Sequence, residues 1–158
     1  MRFALPTVAG LVVVGLLPSA ADANAGTVIE TLMRQAQGSR TEAYSAVAHL
    51  SECSGFFSAF ADQVTGRGLD DQSALEGIAT MERDTATVAG LVWSQHDPRP
   101  LRTVNPLVAE ARTASGASMA TIGIDGPHFV HRYDVCSQAF LFSQFFLGTA
   151  QEAAPTVR

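Results

Sequence analysis

Cys53 and Cys136 are the only two cysteines in the chain, and each has a histidine nearby: His49 four residues before Cys53, His131 five before Cys136. Two imidazoles and two thiolates could make a zinc site. The second spacing argues against it, because residues five apart do not stack on one face of a helix. Cysteines of exported proteins also oxidise, and the N-terminal leader described below points to export. A disulfide between Cys53 and Cys136 is the expected state. It would close a loop on the order of 80 residues and stabilise the fold by about 4–5 kcal/mol if chain entropy is its source. No metal site is expected.

The remaining reactive groups give weaker patterns. No Cys-x-x-Cys-His occurs, which excludes covalent c-type haem. A haem or quinone held without a covalent link could use His49, His128 or His131, but a lone helical histidine is more often a surface or satisfied core residue. Gly116-Ala-Ser118-Met-Ala120 falls one residue short of the Gly-x-Ser-x-Gly nucleophile elbow. That motif needs a strand before its serine, and Asn105–Ala114 reads as helix, so Ser118 is read as a packing residue. Glu82, Arg83 and Asp84 form a charge run, and Glu52 adjoins Cys53. Paired carboxylates can do acid–base work, but a solvated helix face is the default here. Trp93 reads as the edge of a core. Lysine is absent, all ten basic residues being arginine, which excludes Schiff-base, P-loop and Ser-x-x-Lys chemistry. No catalytic residue and no cofactor is expected.

The cysteines need elements to carry them, and the sequence supplies two. Tyr44–Val64 surrounds Cys53 and Phe129–Leu147 surrounds Cys136; together they hold both tyrosines and every phenylalanine except Phe3. Ser39-Arg-Thr-Glu42 has capping-box spacing. Behind it Val47, Leu50, Ser54, Phe57, Ala61 and Val64 keep steps of three and four, which predicts a helix with one buried face, stopped at Gly66-Arg-Gly68. Thr27-Val-Ile-Glu30 would cap a short helix over Val28–Gln37. Ser73-Ala-Leu-Glu76 would cap a third helix, with Asp70 or Asp71 as alternative caps, and Asp97-Pro-Arg-Pro100 ends that helix by His96. Asn105-Pro106 is expected to open the fourth helix as N-cap and first helical residue. Small residues at Ala114–Ala120 would allow close approach of another helix or leave the end frayed. Pro127 or His128 starts the last helix. No stretch alternates with period two. The expected fold is all-α: an antiparallel bundle of four to five helices, stapled by one disulfide.

Met1–Ala25 reads as a cleavable signal peptide, with Arg2 before the apolar run Val8–Leu17 and small-residue cleavage sites ending at Ala23 or Ala25. The run is shorter than the roughly 20 residues that span a bilayer, so no stable membrane span is expected after cleavage. Residues 26–152 form the single domain, and 153–158 are expected to be a disordered tail. The net charge of −5 and the lack of a basic run give no footprint for nucleic acid.

Phe140-Leu-Phe142 and Phe145-Phe-Leu147 spread large apolar groups around the whole last helix. Either that helix is central to the bundle, or part of it, such as Phe142 with Phe146, is an exposed patch for a partner. The functional reading is a non-catalytic exported protein, a binding or accessory subunit of a periplasmic or envelope assembly. Its partner would be another envelope protein or a second copy, inside the periplasm or beyond it. The rival reading is a small enzyme or a haem-, metal- or quinone-binding bundle.

Overall fold

The computed structural model describes residues 20–68 and 71–153. They form five helices: α1 (Ala20–Ala36), α2 (Arg40–Gly66), α3 (Gln72–Ser94), α4 (Leu101–Ile122) and α5 (Pro127–Ala153). Among the described residues there is no strand, and no helix is long and apolar enough to cross a membrane. The expected apolar leader segment, Asp70 and the end of the tail lie outside the described residues.

The start of α2 follows the sequence closely. The Ser39 backbone N–H donates to Glu42 Oε2 at 2.8 Å, and the Glu42 N–H donates to Ser39 Oγ at 3.4 Å, a complete capping box. The Ser39 N–H holds the Glu42 carboxyl below its usual range, with smaller help from the Ser39 hydroxyl and the nearby Arg34. The helix ends at Gly66, and Gly68 takes φ +69°, a left-handed turn that glycine enters without steric cost.

Two other boundaries, the starts of α1 and α4, differ from the expectation. Helix α1 is continuous from Ala20, so Thr27 is internal to it and does not cap it. The Ala20–Ala25 stretch is rich in alanine, the best helix former, and offers nothing to stop the helix. At α3 the cap is Asp71, one of the alternatives to Ser73 that the sequence offered: its Oδ1 accepts from the Ser73 and Ala74 N–H groups. Helix α4 opens at Leu101, with Asn105-Pro106 inside it. The Arg99 N–H donates to Asp97 Oδ1 at 2.8 Å and the Arg102 N–H to the Arg99 carbonyl, which turns the chain into the helix one turn early.

The central helix is α2, which packs against all four others. From Ser51 to Ala59 it is buried all round except at Glu52. Small side chains make this possible. Ser54 Oγ donates to the Glu82 carbonyl of α3 at 3.0 Å, a carbonyl that Thr85 Oγ1 shares at 3.0 Å, so these two buried hydroxyls are satisfied, whereas the buried Ser51 Oγ meets no partner among the described residues. Gly55 lets the α4 backbone come close. Against α3 the order is antiparallel, with Tyr44 beside Trp93 and Ser54 beside Glu82. Against α4 it is parallel, with Gly55 by Ala111 and Ala59 by Gly116. Trp93 is 5 % exposed; it packs edge-on against Tyr44 and donates its indole N–H to Thr103 Oγ1 at 3.0 Å.

Candidate functional site

Cys53 and Cys136 are joined in a disulfide, with Cα atoms 5.0 Å apart, as their matched helices predicted. The bond sits at the end of an aromatic seam between α2 and α5. Phe57 packs against Tyr133 at 6.2 Å between ring centroids, Phe56 against Phe129 at 5.4 Å, and Phe60 against Phe129 at 5.0 Å. Partners on α5 descend as those on α2 ascend, so the two helices run antiparallel here. Beside the disulfide, Arg132 Nη2 donates to Glu52 Oε2 at 3.2 Å. This pair is partly exposed, and such pairs add little stability; its effect is to hold the guanidinium against α2.

The disulfide fixes which side of α5 faces the core. Cys136, Ala139, Phe142 and Ser143 are buried along one side. Phe142 is 1 % exposed, and the half-buried Phe146 packs against the core with its ring 5.8 Å from that of Phe142. The pair offered as a possible exposed patch therefore lies on the inner side, although the helix central to the bundle is α2 and not α5. On the outer side are Val130, Leu141 and Phe145, with 60 %, 51 % and 55 % of their surface exposed. Phe145 is nine residues from Cys136, about two and a half helical turns and so half a turn in azimuth. That spacing was the sequence signal for the outer side.

The histidines are dispersed. His131 and His128 are exposed on the first turns of α5, and His49 is half-buried between α1 and α2 beside Val28, Thr31 and Leu32. His49 Nε2 is enclosed and meets no hydrogen-bond partner among the described residues. Burial pushes the imidazole below its ordinary pKa of 6.5; Glu52 opposes this shift and Arg132 adds to it. Among the described residues no three His, Cys, Asp or Glu side chains gather as a metal site, and both thiols are consumed by the disulfide. In the charge run, Arg83 Nε donates to Asp84 Oδ1 at 3.3 Å, and Asp84 also accepts from Gln144 of α5.

Ser118 lies within α4, with helix on both sides of it. It opens into a cleft of 190 Å³ between α2, α4 and the start of α5, whose floor is Phe56, Met119 and Phe129 and whose polar wall is Ser115, Ser118, His128 and Arg132. Among the described residues no hydrogen bond joins Ser118 to His128, which line the same cleft. Sequence reasoning did not bring these groups together, because they come from three helices and share no local motif. Comparison with protein-family models, with curated proteins and with solved structures finds no match for this chain.

Proposed function

We propose that this protein works by binding and not by catalysis, as an exported accessory subunit of a periplasmic or envelope assembly. The observation that carries this reading is the outer side of α5, where Val130 and Leu141 present apolar surface to solvent in line with the more than half-exposed Phe145. Apolar side chains aligned on one exposed face mark association sites. The Cys53–Cys136 disulfide supports an oxidising compartment, since such bonds persist in exported proteins and are rare in the cytosol. The partner is another envelope protein or a second copy of this chain.

Photo-crosslinking in the producing cell tests the reading. A photoreactive side chain at position 141 should give a discrete adduct, whereas one at Thr87, on the exposed side of α3, should not. Adducts of equal yield from both positions, or none from position 141, would contradict it.

A further inference from the structure

We infer that the cleft between α2, α4 and α5 is a binding site for a small monocarboxylate with an aromatic or short aliphatic body. The inference is independent of the outer side of α5, which faces elsewhere. The cleft has the two halves such a ligand needs. Its floor is apolar and aromatic, made by the buried Phe56 and Met119 with the half-buried Phe129. At 190 Å³ it is somewhat larger than the engineered cavity of about 150 Å³ that takes up benzene, so one ring with a short acid arm fits its scale.

The wall beside this floor is polar and carries one guanidinium, that of Arg132. Arg132 and His128 line the same cleft, together with the hydroxyls of Ser115 and Ser118. No carboxylate lines it. Arg132 makes one hydrogen bond among the described residues, from Nη2 to Glu52. A guanidinium has five N–H donors in a planar fork, so Glu52 can orient the group while other donors remain for a ligand carboxylate. Glu52 and Glu110 line a neighbouring hollow that shares Ala114, Ser115 and Arg132 with the cleft, so the carboxylates nearest Arg132 belong to that hollow and not to the cleft lining. His128 and Phe129 stand in the first turn of α5, where the helix dipole also favours negative charge. The ligand body would lie over the Phe56 and Phe129 rings, with its carboxylate toward Arg132 and the two serines.

The test is an NMR titration of the intact disulfide-bonded protein with phenylacetate, repeated with phenylacetamide, which has nearly the same shape and no charge. Phenylacetate should give saturable shifts at Phe56, Phe129 and Ser118, with Kd of about 1 mM or tighter. The amide and the Arg132→Gln variant should each bind about tenfold more weakly. Ser118→Phe, which fills the cleft from a half-buried position, should abolish binding while the melting temperature holds. Should Arg132→Gln disturb folding, the amide and the filled-cleft variant still decide. No saturable shift by about 10 mM, equal affinity for acid and amide, or undiminished binding by Ser118→Phe would overturn the inference.

Discussion

Gly55 of α2 lies directly against Ala111 of α4: a Cβ on Gly55 would stand 2.6 Å from the Ala111 Cβ, and equally close to the Arg112 nitrogen and the Val108 carbonyl oxygen. Two of those three neighbours are backbone atoms that cannot swing aside. The contact lets α2 sit at the centre of the bundle, and it brings Phe56, the next residue, to the floor of the cleft beside Met119.

Gly55→Ala should therefore destabilise the domain by about 1–3 kcal/mol, as overpacking does in a close-packed core. Gly77 of α3 is the control, since a Cβ there meets nothing within 4 Å. Gly77→Ala should stabilise by about 0.5–1 kcal/mol through helix propensity alone. Urea unfolding of the two variants checks the opposite signs.

Removing the disulfide should lower stability by about 2–5 kcal/mol. The loop it closes spans 83 residues and contains α3 and α4, so the unfolded chain gains most of its freedom when the bond is cut. Because the aromatic seam of Phe56, Phe57, Phe60, Phe129 and Tyr133 remains, a Cys53→Ser/Cys136→Ser variant should keep its helical circular dichroism at low temperature. It should melt earlier than the oxidised protein, whereas reductant should leave its melting temperature unchanged.

His49 gives the fold a pH dependence of definite sign. Its folded pKa is depressed below the ordinary 6.5, so the unfolded chain binds the proton more readily. The contribution is fully present above pH 6.5, is lost as pH falls from there through the folded pKa, and stays constant below it. Glu52 and Arg132 are the charged groups acting on His49. In urea titrations the stability of the wild type should fall across this window, and His49→Gln should flatten the curve. An equal fall in the variant would show that other groups cause it.

Much of the architecture was legible because it is written in local chemistry. The Ser39–Glu42 box, the Gly66–Gly68 stop and the two matched cysteine segments each name their own physical role. What was not legible depended on contacts between helices. Glycine carries no pattern, so Gly55 gave no sign that α4 would lie on it; the small stretch Ala114–Ala120 drew attention instead, and there Gly116 only approaches Ala59, with 4.0 Å to a Cβ placed on it. Pro106 resembled a helix start because proline is tolerated in a first turn, but Asp97 and Pro100 had already begun the helix. In α5, apolar residues on every side hid which side was inner. Counting from Cys136 would have put Phe145 outward, while Phe142 lies among the core residues. The cleft was invisible for the same reason as Gly55, since Ser118, His128 and Arg132 meet Phe56 only through packing.

The most direct measurement compares Leu141→Asp with the wild type in affinity purification of the tagged protein from its producing cell at native expression level. Position 141 is half exposed on the outer side of α5, so the variant should keep its disulfide and its melting temperature. The account predicts that the species copurifying in stoichiometric amount with the wild type, whether a second copy or another envelope protein, is lost from the variant. A folded variant that retains the same stoichiometric species, or a wild type that purifies alone, would contradict a binding role for this face.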